Sequence, residues 1–181
     1  MISRIVLLEG GSMTEAGLVG NEGFIGIMLA LGSSQATGEA IVQIPGSALR
    51  MPAAALRKEV GQNEPLRRVL LSYIQALFIQ VSQSVACNVH HALGQRLARW
   101  LLTANDCSGS DEITLSHEAL SMMLGVQRQS VTSVVGELKE VGIVATGHGR
   151  ITILDRGKLE AAACECYRAV RSEYDRVLGP A

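Results

Sequence analysis

The sequence predicts an α+β chain in three parts: a partial β-roll over residues 1–61, a long dimerisation helix over 62–87, and a C-terminal winged helix-turn-helix over 88–181. Three observations carry this reading. Short apolar runs broken by Gly and Pro turn signals fill the stretch before Pro52. From Pro65 an apolar stripe recurs at three- and four-residue steps with no Gly or Pro to stop it. Between Thr114 and Leu154, a capped helix, a glycine turn, a second helix and a Gly-tipped hairpin follow one another.

The first part opens with a strand from Arg4 to Glu9 and a turn at Gly10-Gly11-Ser12. Its partner strand runs from Glu15 to Val19. One or two helical turns fit between Gly26 and Gly32. Ala40–Ile44 reads as a further strand closed by Pro45-Gly46, and Ala48–Met51 as a last short one. Pro52 then suits the first position of a helix, where a missing N–H costs nothing. In the second part Leu66, Leu70, Tyr73, Leu77 and Val81 form the main stripe, widened by Val69, Ile74, Phe78 and Val85. A helix this apolar can cover the strands with one face and needs a partner for another. A second copy of itself is the economical choice, so the main stripe is assigned to a homodimer interface. Asn88 is expected to cap the next helix, which carries Leu93, Leu97, Trp100 and Leu101 on one side.

Ser116 is a good helix cap, with Glu118 adding negative charge in the first turn. Leu120 and Leu124 point inward, Ser121 allows a close crossing, and Gly125 sits where the chain must turn sharply. The second helix, from about Gln127 to Val141, buries Val131, Val134, Val135 and Leu138. Its exposed start carries Gln127, Arg128, Gln129, Ser130, Thr132 and Ser133, with no carboxylate before Val135. Arg can pair bidentately with guanine and Gln with adenine in the major groove, and phosphates repel carboxylates. The hairpin after Gly142 has Gly147-His148-Gly149 at its tip, placing His148 and Arg150 where a phosphate backbone could pass. Asp155 caps a final helix with Leu159, Ala163, Tyr167 and Val170 on one side.

Charge sharpens the dimer requirement. Formal net charge is -1, so a globally basic footprint is absent. Within residues 113–154, Arg128, Lys139 and Arg150 are matched by Glu118, Glu137 and Glu140. A lone copy of a neutral domain holds DNA poorly, whereas two copies on a palindrome gain avidity.

Residues Val19–Gly26, Gln95–Leu101, Leu115–Val135 and Gly149–Ile153 together resemble the Crp/Fnr family of bacterial transcription regulators, over nearly the whole chain and most specifically in 93–154. The resemblance implies a homodimer on a palindromic double-stranded DNA operator, with RNA polymerase as an open further partner; the apolar run Ile5–Leu8, too short for a signal or a membrane span, and the cysteines lead to the expectation of a cytoplasmic protein with no membrane partner. The resemblance places Arg128, Gln129 and Ser133 at base-reading positions and Ser116 and His117 at the DNA backbone. Two departures stand out. The family's sensory roll normally starts well before anything matching Met1, so its early strands are expected to be missing here, or the start site to have been assigned late. The stretch Ser34–Ala40, comparable to the family's phosphate cassette, holds Glu39 and no Arg, so cyclic AMP or cyclic GMP is not expected to bind.

No cofactor and no metal are expected. The cysteines Cys87, Cys107, Cys164 and Cys166 suit a reducing compartment as thiols. Cys164 and Cys166 stand two apart on what reads as one helix, an awkward spacing for shared ligation. Cys87 and His91 would align only on a continuous helix, which Asn88 is expected to break. No Ser/His/Asp set or phosphate loop is legible, so no enzyme is expected. A protein-docking winged helix, or a ligand or redox sensor without direct DNA binding, are the alternatives.

Overall fold

The computed structural model describes residues 1–35, 38–147 and 149–179. The strands β1 (Ile2–Leu7), β2 (Met13–Val19) and β3 (Glu39–Val42) form an antiparallel sheet in the order β2-β1-β3. The β1–β2 turn closes through Leu8 and Ser12, with Gly11 at φ 80°. Between β2 and β3 lies the single turn α1 (Ile27–Ala30). The expected strand over Ala48–Met51 does not form: this segment belongs to no helix or strand, and Leu49 is fully exposed. Pro52 stands one position earlier than expected, as the cap of α2 (Ala53–Gln62).

Helix α3 spans Glu64–His90, its first turn capped by the Asn63 side chain, which accepts from Leu66 N at 3.0 Å. It is longer than expected because Asn88 does not break it: that residue is exposed within the last turn. The chain leaves helical geometry at His91, and Ala92, not Asn88, precedes α4 (Leu93–Ser108), with Gln95 Oε1 accepting from the Ala92 N–H at 3.2 Å. By length and composition α3 is the one helix among the described residues able to cross a bilayer. In the fold it packs along β2 and along the last helix of the chain, where Gln75 donates to Glu173 at 2.9 Å.

The C-terminal part follows in order: β4 (Glu112–Thr114), α5 (His117–Leu124), α6 (Arg128–Glu140), β5 (Val144–Gly147), β6 (Arg150–Ile153), α7 (Arg156–Ala162) and α8 (Cys166–Leu178). The wing sheet has the order β4-β6-β5, with β4 a strand that sequence patterning missed. Asp155 caps α7 by accepting from Lys158 N at 2.9 Å, as expected, but the final helix is two helices broken at residues 163–165. Arg156 and Tyr167 both bond Asp106, at 2.8 Å each, fastening α7 and α8 to α4.

The core is continuous across the expected domain boundaries. Ile5 and Leu18 of the first sheet share one cluster with Leu97, Leu101, Leu120, Val131, Ile151 and Leu159. A second cluster seats α1 and α2 on α3 through Ile27, Leu56, Leu70, Tyr73 and Leu77. The strand segment therefore lies directly against the winged domain. Within the interface, half-buried Glu15 of β2 turns its carboxylate inward, accepting from Ser3 at 2.5 Å and from Trp100 Nε1 at 3.1 Å. Burial outweighs both bonds and raises its carboxyl to about 7.

Candidate nucleic-acid interface

Helices α5 and α6 are set by local chemistry. The Ser116 hydroxyl accepts from Ala119 N at 3.1 Å and closes the first turn of α5. Gly125 adopts φ 64°, a left-handed conformation, where the chain turns into α6. Leu120, Ser121 and Leu124 of α5 and Val131, Val135 and Leu138 of α6 are buried, as their spacing requires. Arg96 of α4 bonds the Leu124 carbonyl at the end of α5 and holds the turn against the scaffold.

This packing leaves Gln127, Arg128, Gln129, Ser130, Thr132 and Ser133 exposed together at the start of α6. No acidic residue stands in its first turn, and the Gln127 side chain does not cap it. The Ser130 N–H is taken by the Gln127 carbonyl at 3.1 Å, which leaves the Arg128 and Gln129 N–H groups of this thirteen-residue helix open to an anion. Some of these side chains already have partners. The Thr132 hydroxyl donates to the Arg128 carbonyl at 3.1 Å, and His117 Nδ1 lies 3.0 Å from Thr132 Oγ1, which makes the imidazole the donor. His117 is thereby steered toward α6. Arg128 Nε stands 4.0 Å from Glu118, with both side chains mostly exposed. Such a pair is worth little and yields readily to a better partner.

The wing is formed, but its charge is not free. Arg150 Nη1 donates to Glu112 at 3.0 Å. Glu112 lies on β4, whose register sets Thr114 opposite Arg150, so this partner was illegible while β4 was unrecognised. His148 lies outside the described residues.

The five residues assigned to dimerisation are placed differently. Leu70, Tyr73 and Leu77 are buried in the chain's own second cluster, and Leu66 and Val81 pack against its edge. The large apolar side chains left open on α3 are Val69, Leu71, Phe78, Val85 and Val89, with half-buried Ile74 and Val81 among them. Leu71, Ile74, Phe78, Val81 and Val85 alternate at three- and four-residue steps, the spacing of a coiled-coil seam. Both stripes are apolar in sequence, and the docking of α1, α2, α8 and β2 decides which one remains uncovered.

Residues 95–162 match the Crp-like helix-turn-helix domain. The transcriptional regulator LdrP of Thermus thermophilus is 30% identical over 137 residues, which cover 66% of this chain and 68% of LdrP. The chain belongs to the Crp/Fnr family. The global nitrogen regulator of Synechococcus elongatus is 27% identical over 123 residues, and the chain spans 55% of its length. Among solved structures, a CRP-family regulator from Thermus thermophilus superposes with a TM-score of 0.68 at 22% identity, covering 90% of this chain and 83% of that one. FixK2 from Bradyrhizobium japonicum gives 0.66 at 15% identity, covering 90% and 83%. At these identities the structures establish the fold. The matched domain contains α5, α6 and the wing, the elements that carry the exposed polar tip.

Proposed function

We propose that this Crp/Fnr chain is a sequence-specific DNA-binding transcription regulator that works in the cytoplasm as a homodimer on a palindromic operator, without cyclic nucleotide. The observation that carries it is the uncapped, carboxylate-free start of α6, with Gln127–Ser130, Thr132 and Ser133 all exposed. Arg128, Gln129 and Ser133 read base edges. Ser116 and His117, with Arg150 and His148 of the wing, touch the DNA backbone. The Ser116 oxygen is committed to its cap, so its hydroxyl proton is what reaches a phosphate. Arg128 exchanges Glu118 for a base at small cost. RNA polymerase is then a second partner, met on the same DNA.

The dimer runs through α3, on the seam of Leu71, Ile74, Phe78, Val81 and Val85 rather than through Leu70, Tyr73 and Leu77. Phe78 is 70% exposed in the single chain and stands at the middle of that seam. Independence from cyclic nucleotide is supported by Glu39, exposed at the start of β3, where a carboxylate repels a cyclic phosphate. The test is titration of the full chain with promoter fragments at several salt concentrations. Retention of particular fragments that weakens as salt rises supports the proposal, and equal, weak retention of every fragment overturns it. Adding cyclic AMP or cyclic GMP is expected to change nothing.

A further inference from the structure

The continuous α3 and the break between α7 and α8 have a joint consequence. Because α3 runs through Asn88, Cys87 and His91 stand one turn apart on the same side of its end, with the His91 N–H bonded to the Cys87 carbonyl at 3.1 Å. Because α7 stops at Ala162, Cys164 lies in the connection and Cys166 begins α8, so the two thiols are not fixed on opposite sides of one helix. The fold brings the pairs together. Cys87 Sγ is 3.5 Å from Cys164 Sγ, and Cys166 Sγ is 3.5 Å from His91 Nδ1. All four atoms lie within 4.8 Å of one another, with the three cysteines buried and His91 half-buried.

We propose that Cys87, His91, Cys164 and Cys166 form a tetrahedral zinc site that fastens the end of α3 to the α7–α8 junction. The dimensions suit a single ion. Zinc bonds of about 2.3 Å to sulfur and about 2.0–2.1 Å to nitrogen set tetrahedral edges of about 3.8 Å between sulfurs and about 3.5 Å between sulfur and nitrogen. The two close pairs already sit near those edges, and the widest needs to close by about 1 Å. An iron–sulfur cluster interposes bridging sulfides and needs its ligands farther apart.

The surroundings are those of a metal centre. His91 Nε2 faces Glu165 at 3.3 Å, so a proton held there leaves the Nδ1 lone pair directed at Cys166 and the ion. Gln83 Nε2 donates to Cys166 Sγ at 3.2 Å, a bond that a thiolate strengthens. Three thiolates, a neutral imidazole and Zn²⁺ sum to one negative charge, and Arg96 and Arg99 both act on Cys87 electrostatically. Zinc binding displaces the three thiol protons to solvent as the Zn–S bonds form. Four protein ligands fill the coordination sphere, which makes the site structural rather than catalytic. None of this depends on α6 binding DNA.

The experiment is elemental analysis of the full chain, purified under reducing conditions and without oxygen, with cobalt exchange as a second readout. The expected result is one zinc per chain and, after exchange, the visible spectrum of tetrahedral thiolate-bound cobalt. Cys87→Ser and Cys164→Ser are expected to lose the metal, Cys107→Ser to keep it, and His91→Cys to retain a site. Glu165→Gln is expected to weaken zinc affinity about tenfold or more. Circular dichroism separates metal loss from unfolding, and the cobalt spectrum of the wild-type chain stands even if a variant fails to fold. Wild-type protein that takes up neither zinc nor cobalt overturns the proposal. So does iron with acid-labile sulfide, a Cys87–Cys164 disulfide whose reduction restores no zinc binding, or unchanged metal content in the Cys87 and Cys164 variants.

Discussion

Replacing Glu15 with Gln is expected to stabilise the protein above neutral pH and to remove a pH dependence. Glu15 is half-buried, its carboxylate held between Ser3 and Trp100, and desolvation raises its carboxyl from 4.5 to about 7. Between those two values the folded chain holds a proton that the unfolded chain has released. Stability from this group is therefore complete below pH 4.5, falls as pH rises through the window, and is flat above about 7. At about 1.4 kcal/mol per pH unit, the loss across the window is about 3 kcal/mol. Gln keeps both bonds without a charge: its carbonyl accepts from Trp100 Nε1 and its amide donates to Ser3. The assay is urea unfolding from pH 4.5 to 8, followed by circular dichroism and by the fluorescence of Trp100, the sole tryptophan. Differences between wild type and variant cancel the contributions of other titrating groups. Glu15→Gln is expected to match wild type near pH 4.5 and to exceed it by about 3 kcal/mol at pH 8. Parallel stability curves, or a wild type that gains on the variant as pH rises, would refute the placement of this carboxyl.

Three further outcomes are expected. Phe78→Asp should leave the single chain's fold within about 0.5 kcal/mol of wild type, because the side chain is exposed there, yet sedimentation should find one chain where wild type shows two. Gly125→Ala forces a side chain into a left-handed backbone and sets its Cβ 3.0 Å from Thr14 Oγ1, so thermal unfolding should show a loss of about 1–2 kcal/mol. Glu112→Ala frees Arg150 and removes a negative charge from the wing, so DNA titrations should show tighter binding to all sequences alike, with a salt slope steeper by about 1.

What was legible in the sequence was local. Ser116, Gly125 and the spacing of Val131 and Val135 fixed α5, the turn and α6 within thirty residues of one another, and the fold has them where they were expected. What was misread was decided by distant packing. Asn88 has the side chain of a cap, but a cap also needs the chain to leave helical geometry, and here that happens at His91. Which α3 stripe the chain covers itself is likewise a matter of packing: α1, α2 and α8 gather around Leu70, Tyr73 and Leu77, and no spacing within α3 announces that. The cysteine cluster joins residues 77 apart, and its spacing has no meaning until α3 and α8 are packed.

The most direct measurement is selection of bound fragments from random duplex DNA by the wild-type chain and by Arg128→Ala. Wild type is expected to recover an inverted repeat whose half-sites lie about one helical turn apart, and Arg128→Ala to lose preference at one base pair in each half while still binding. Recovery of no symmetric sequence, or the same sequence with undiminished preference from the variant, would contradict paired α6 helices reading base edges.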